Sequence, residues 1–352
     1  MPKVIGNIEI FMGPHQLGGP DNLQDVIVNF IDGAQKRLFI AVQELDSQLI
    51  AEAIIRAKQR KVLVKLVLEA DYLLEKIARA NPFLTGGANE VNRVLHDAIL
   101  RANINVHSDY NQDIFHQKFM VRDSKSVLTG STNFTVSDTS ANLNHVVIVH
   151  DETVARNYDQ EYDEIQQGHF GKLNEGHAPK PAEVMVSNVR VKTLFAPDHN
   201  PEMEIMKQIA KAKRRVDFAI FTFASSSGID DQLVLAKQAG ISIRGALFKS
   251  QANQTWSATE TLKNAGLSLF FIPRSGLPEP SPRKLHHKLM VIDEQLIIAG
   301  SFNYTGPATQ LNDENIIILG DLDSTDQDSI QKQKELAGYA LAEIDRIIAA
   351  FG

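Results

Sequence analysis

Two short patterns in this chain bring together side chains that can do chemistry. His116-Gln117-Lys118 and His286-His287-Lys288 each set an imidazole two residues before an ammonium group. On a strand, residues i and i+2 project to the same face, so each pair can act on one bound group. An imidazole can serve as nucleophile or proton carrier, and an ammonium can neutralise an anion. A single His-x-Lys would mean little, since any exposed strand can carry one. Here each pair is followed by an aspartate five residues after the lysine (Asp123, Asp293) and then by Gly-Ser-x-Asn. The serines are Ser131 and Ser301, and the asparagines Asn133 and Asn303. Equivalent positions keep one offset through Thr135 and Thr305 to Asn142 and Asn312. Chance does not hold a register over so many polar positions.

The elements that position these residues must therefore occur twice. Upstream echoes agree: Phe11-Met12-Gly13-Pro14-His15 matches Phe195-Ala196-Pro197-Asp198-His199, and the strand-like run from Lys36 matches that from Arg214. The offset shrinks towards the His-x-Lys motifs, so the first half holds extra residues, part of them expected in the Gly-containing loop near Asn81 to Asn92. In half one the pattern predicts a helix over 22–36, a strand over 38–43, a helix over 47–59 and a strand through Val62, Val64 and Leu66. In half two it predicts helices over 203–213 and 230–239 and strands over 216–223 and 241–247. Helices over 153–167 and 329–350 follow the two signatures. Alternating helices and short apolar strands imply an α/β sandwich with mixed sheets. The expected division is a first half over 1–172, a linker over 173–189 containing Gly176-His177-Ala178-Pro179, and a second half over 190–352.

The doubled His-x-Lys, Asp and Gly-Ser-x-Asn pattern resembles the phospholipase D superfamily of phosphodiesterases, over nearly the whole chain. That resemblance implies a tandem duplication whose halves meet about a pseudo-twofold axis, joining both motifs in one active site without a metal or other cofactor. The site is then complete within one chain, so no oligomer is required. The chemistry is coherent with it. Lys118 and Lys288 would neutralise a phosphodiester and its transition state, with Asn133 and Asn303 donating hydrogen bonds. One histidine would attack phosphorus to form a phosphohistidine, and the other would protonate the leaving alcohol.

The halves differ after the signatures. The second continues Asn312-Asp313-Glu314-Asn315, similar to the family's Asn-x-Glu, whereas the first has Asn142-Leu143-Asn144-His145. A carboxylate beside an imidazole favours its protonated form and an amide does not. On that ground His116 is expected as nucleophile and His286 as general acid, with Glu314 tuning the acid. Asp123 and Asp293 are expected to be structural, at strand ends. Ser131 and Ser301, with Asn142, Asn144 and Asn312, are candidates to touch phosphate, although a serine in a tight Gly-Ser turn usually bonds its own backbone. Arg283 and Lys284 directly precede His286 and are the candidate grip on a substrate backbone. His15 and His199 are expected on solvated loops; His145 and His287 are further candidates to line the cleft. The basic runs near Lys58 and Lys211 fall at helix C-termini, where cations are favoured by the helix dipole.

Composition narrows the partners. Apolar residues make up 43% and charged residues 22%, which fits a core-forming globular chain. Thirty-six basic residues against 43 acidic give a net charge of −7, unlike a protein that coats long duplexes. There is no cysteine and no run long enough to span a bilayer, so an intracellular, cytoplasmic enzyme is expected. Within the superfamily, Thr135 and Thr305 after the motif asparagines resemble the nuclease branch. No exposed aromatic or leucine loop is evident as a membrane anchor, although Pro82-Phe83-Leu84 could dip into lipid. The expected substrate is therefore DNA or RNA, cut as by an endonuclease; phospholipid, as for a phospholipase D or phosphatidyltransferase, is the alternative. A non-catalytic nucleic-acid-binding protein is the remaining class.

Overall fold

Alternation along the strands decides the layering. In Arg37–Val42, Leu38, Ile40 and Val42 enter one apolar core while Phe39 and Ala41 enter another. The sheet is thus covered on both faces, as period-2 side chains with apolar residues at every position require. Each fully buried aliphatic side chain contributes about 1.5–3 kcal/mol. The computed structural model describes residues 2–174, 176 and 179–352.

Half one contributes strands β1 (Lys3–Ile5), β2 (Ile8–Gly13), β3 (Arg37–Val42), β4 (Leu63–Glu69), β5 (Asn105–Asp109), β6 (Lys118–Arg122), β7 (Ser126–Gly130) and β8 (Asn142–Val149). Half two contributes β9 (Val184–Val186), β10 (Val189–Ala196), β11 (Arg215–Ile220), β12 (Ser242–Phe248), β13 (Ser268–Ile272), β14 (Lys284–Leu285), β15 (Lys288–Ile292), β16 (Leu296–Gly300) and β17 (Glu314–Leu319). The first sheet runs β1-β2-β8-β7-β6-β3-β4-β5 and the second β13-β12-β11-β15-β16-β17-β10-β9. Both are mixed, with β3-β4-β5 and β11-β12-β13 parallel. The chain is a tandem duplication of one α/β unit.

Helices α1 (Leu23–Asp32), α2 (Gln48–Gln59) and α3 (Glu90–Arg101) cover the outer face of the first sheet; α4 (Val136–Ser140) is a short turn after its signature. In half two, α6 (Pro201–Ala210), α7 (Ile229–Gln238), α8 (Lys249–Ala252), α9 (Thr259–Asn264) and α10 (Gly306–Gln310) repeat the scheme. Helices α5 (Glu152–Gln166) and α11 (Gln327–Phe351) fill the central layer, whose single core takes residues from both sheets. Their starts are set by Asp151 and Asp326, which accept the orphan N–H groups of Val154 and Ser329. On α11, Leu336, Ala340, Ile344, Ile347 and Phe351 keep the 3–4-residue spacing of a buried stripe.

Predicted and observed elements differ at the ends by one to three residues in most cases. The linker expected over 173–189 contains β9 and the first residue of β10, and its residues 175, 177 and 178 lie outside the described residues. The extra length of half one is wider than the loop expected near Asn81: 35 residues (70–104) separate β4 from β5, against 19 (249–267) between β12 and β13.

One feature of the topology governs the site. The segment leading into each His-x-Lys strand pairs with the opposite half. Lys284 and Leu285 run parallel to Asn142 and Leu143, and Phe115 bridges Asp313 in the same way. His116 N–H donates to the Asp313 carbonyl and His286 N–H to that of Leu143.

Candidate active site

Strand β6 begins at Lys118 and β15 at Lys288, so each histidine sits just ahead of the strand that carries its lysine. Opposite them stand the first residues of β8 and β17, brought there by the crossed pairing. The Gly-Ser turns admit this approach because Gly130 and Gly300 are bare. A Cβ on either would collide with the carbonyl oxygen of His145 or Asn315.

The carboxylate sits on the other histidine from the one expected. His116 Nδ1 meets Glu314 Oε2 at 2.7 Å, across the halves. His286 Nδ1 meets Asn144 Oδ1 at 3.0 Å, with Asp138 Oδ2 further off at 3.7 Å. Asn144 donates through Nδ2 to the carbonyls of Asp138 and Asn142, so its oxygen faces His286 and Nδ1 of that ring is the donor. In both histidines Nδ1 is engaged by the protein, and Nε2 is the nitrogen left for chemistry. The premise that Glu314 tunes His286 is therefore corrected: Glu314 orients His116.

All four signature side chains are buried: His116, His286, Lys118 and Lys288 are at most 8% exposed. Burial and then the charges of Lys118 and Lys288 hold His116 well below its ordinary pKa. Burial, Lys288 and Lys118 do the same to His286, which also feels Lys284 and His116. Burial pulls Lys118 down to about 8 and pulls Lys288 well down. Burial pushes Glu314 up to about 8, with Lys118 opposing. So many potential cations in one buried cluster cannot all be charged together. An anion bound among them would supply the negative charge that lets one more proton be held.

A pH dependence follows. Lys118 is cationic below about pH 8 and loses its charge as pH rises through that value. kcat/KM for a diester substrate is expected to fall above about pH 8, by roughly tenfold per unit in the limit of one required proton. A pH–rate profile from 6 to 10 checks this; a flat profile to pH 10 would remove Lys118 from anion binding.

The remaining signature residues divide by contact. Asn133 and Asn303 leave their side-chain carbonyl ends buried with no hydrogen-bond partner among the described residues, so those amides are open to a ligand. Ser131 donates to Asn144 Oδ1 and accepts from the His145 backbone N–H; Ser301 accepts from the Asn315 N–H in the same way but donates to the Asn315 carbonyl. Both serines fasten the Asn-x-Glu/Asn strands. Asn142 bonds Asp138, and Asn312 bonds Glu314. Asp123 accepts from the backbone N–H groups of Gln35, Lys36 and Arg37, and Asp293 from those of Lys213, Arg214 and Arg215. These aspartates tie hairpin ends to β3 and β11. Arg283 and Lys284 are exposed, and Lys284 Nζ lies 5.6 Å above the Phe221 ring, beside the cleft. His15 is exposed on the turn after β2, and His199 sits edge-on to Phe195.

His145 and His287 do not line the cleft. Both are 0% exposed and stack at the interface, Nδ1 to Nδ1 at 3.0 Å. Their counterpart across the pseudo-twofold is Asn315 donating to Gln117 at 2.7 Å.

Sequence reasoning missed the walls. Lys118 Nζ donates to Gln43 Oε1 at 3.1 Å, and Gln43 Nε2 to the Tyr72 hydroxyl at 3.2 Å. At the equivalent place in half two, Phe221 lies under Lys288 Nζ at 5.3 Å and edge-on to His286, and stacks on Phe248. Asp138 and Glu44 add negative charge near Lys118. The signal was present: Gln43 and Phe221 follow the two matching strands directly, and they are the first unlike pair at a strand's C-terminal end.

The family model described as "Cardiolipin synthase, PLD-like domain" matches residues 27–166 and 205–333. A protein named phospholipase D from Rickettsia conorii is 30% identical over 143 residues, 41% of this chain and 64% of that one. A protein named mitochondrial cardiolipin hydrolase from Xenopus tropicalis is 27% identical over 134 residues, 38% of this chain and 56% of that one. The chain thus spans less than two-thirds of the length of these curated relatives. The crystal structure of a phosphatidylserine synthase from Haemophilus influenzae superposes with a TM-score of 0.67 at 13% identity, covering 100% of this chain and 89% of that one.

Proposed function

Because the chain belongs to the phospholipase D-like family, with both of its motif copies intact, we propose that it is a phosphodiesterase acting on phospholipids through a phosphohistidine. The observation that carries the chemistry is the meeting of two His–Lys pairs in one buried cluster, each imidazole held by Nδ1. The lipid assignment is supported by the relatives' names, phospholipase D and cardiolipin hydrolase. The aromatic wall of Phe221 and Phe248 beside His286 also suits a glycerolipid.

His116 Nε2 attacks phosphorus, and the bond to the leaving alcohol oxygen breaks. His286 Nε2 gives that oxygen a proton. His286, now neutral, takes a proton from water as the water oxygen attacks phosphorus, and the P–N bond breaks. Lys118 and Lys288 hold the phosphoryl oxygens throughout. Glu314 fixes the ring of His116 and balances the positive charge it gains on phosphorylation. An alcohol in place of water would give transfer instead of hydrolysis.

The threonines that favoured a nuclease have another use. Thr135 and Thr305 cap α4 and α10, accepting from the N–H groups of Asp138 and Ala308. The test is turnover in excess EDTA on phospholipid vesicles, single-stranded DNA, duplex DNA and RNA. Headgroup or lipid-phosphate release with nucleic acids intact is the expected result. EDTA-resistant cutting of a nucleic acid with lipid untouched would overturn the substrate and restore the nuclease.

A further inference from the structure

We infer that residues 73–85 form an interfacial anchor that seats the active-site rim of half one in a lipid surface. This inference rests on the phospholipid reading for its purpose, although its central measurement does not. The segment belongs to the stretch between β4 and β5 that is longer than its counterpart in half two. It shows apolar tips to solvent: Phe83 is 94% exposed, Ile77 84% and Leu84 60%. On the same rim Tyr110, just past β5, is 71% exposed. With Leu74 and Val94, Phe83, Leu84 and Tyr110 line an open groove of about 500 Å³ between the segment and α3. Glu90, Arg93, His96 and Asp97 on α3 form its polar side, so exposed apolar tips face a charged rim, the makeup of an interfacial contact.

The backbone beneath the tips is prepared for a dry setting. Arg79 donates to the carbonyls of Leu84 and Gly86, both at 2.7 Å. Arg93 donates to the carbonyls of Leu73 and Gly86 and pairs with Glu75. Asn89 donates to those of Asp71 and Leu74. These carbonyls are satisfied from within and do not need water, which lowers the cost of bringing this part of the segment to a lipid boundary. The segment carries a net charge of only +1, Glu75 against Lys76 and Arg79, and Asp71 lies just ahead of it. A chain of net charge −7 gains little from anionic headgroups as a whole. Apolar insertion therefore carries the contact.

The position gives the anchor its use. Tyr72, at the base of the segment, accepts from Gln43, and Gln43 accepts from catalytic Lys118. Glu69, at the end of β4, accepts from the N–H of Phe115, the residue before His116. A lipid engaging the tips is thus presented to the cleft rather than to a distant face.

The experiment compares the full chain with a Phe83→Ser, Leu84→Ser double variant. It measures co-sedimentation with vesicles of phosphatidylcholine and phosphatidylglycerol, and turnover of dihexanoyl phospholipid kept monomeric. Expected are at least a tenfold loss of vesicle partition with weak dependence on salt, a parallel loss of turnover on vesicles, and monomer turnover within twofold. Equal partition of the two proteins would overturn the anchor. So would a wild-type dimer that the double variant converts to monomer without changing partition, since the tips would then serve a second copy. The partition arm decides the anchor; absence of turnover on monomeric lipid by both proteins would count against the substrate reading and not against a measured loss of partition.

Discussion

His116→Ala and His286→Ala are each expected to lower kcat on a natural diester by about 10⁴-fold or more, and to do so for different reasons. Without His116 there is no nucleophile, and no substrate rescues the reaction. Without His286 the missing group is a proton donor, which matters little when the leaving group is already stable as an anion. With a p-nitrophenyl diester, the His286→Ala variant is expected to release one equivalent of nitrophenolate in a burst. It then stops as an alkali-stable, acid-labile phosphohistidine, because no base remains to activate water. His116→Ala should give neither burst nor label. A burst from His116→Ala and none from His286→Ala would reverse the two roles.

The second large effect concerns the carboxylate on the proposed nucleophile. Glu314 is fully buried, and its Oε2 lies 2.7 Å from His116 Nδ1. Glu314→Gln keeps the shape but removes the carboxyl that can give up its proton and steady a phosphorylated imidazolium, and lets the amide NH2 face Nδ1. That would place the ring proton on Nε2, the nitrogen that must attack. A loss of about 10³- to 10⁴-fold in kcat is expected, comparable to the tautomer penalty known for an oriented catalytic histidine. Asn144→Asp makes the complementary change. A carboxylate at His286 would raise that imidazole's pKa. A fall in rate set by loss of its proton, which lies below the Lys118 limb, is then expected to move upward by as much as about one pH unit while the Lys118 limb stays in place. Stopped-flow kinetics and pH profiles of the two variants separate the effects. A Glu314→Gln enzyme within tenfold of wild type would remove the carboxylate from the chemistry.

The parts of this site that were legible in the sequence are those written twice. His116, Lys118 and their copies kept one register, and β3, read as 38–43, was placed to within a residue or so. The partner of Glu314 was not legible. It lies 198 residues away, and the contact arises because the lead-in strands change halves. Nothing local in Asn312-Asp313-Glu314 records that exchange. Gln43 and Phe221 were overlooked because their meaning depends on which strand end faces the cavity. Pro82-Phe83-Leu84 reads in the sequence as a run that could dip into lipid, and the structure leaves Phe83 and Leu84 exposed. The bonds of Arg79 to the Leu84 carbonyl and of Arg93 to those of Leu73 and Gly86 were not legible, because they depend on how the loop folds back on itself.

The crossed pairing of the two lead-in segments has a consequence for how such a catalyst can specialise. If two identical subunits built this cavity, every wall residue would appear in duplicate, and the two imidazoles would be chemically indistinguishable. Joining the copies in one polypeptide frees each position to mutate alone. Glutamate can then stand beside one ring and asparagine beside the other, glutamine beneath one ammonium and phenylalanine beneath its twin. A reaction with a beginning and an end needs an attacking side and a departing side. The covalent link is what allows this cavity to have a direction.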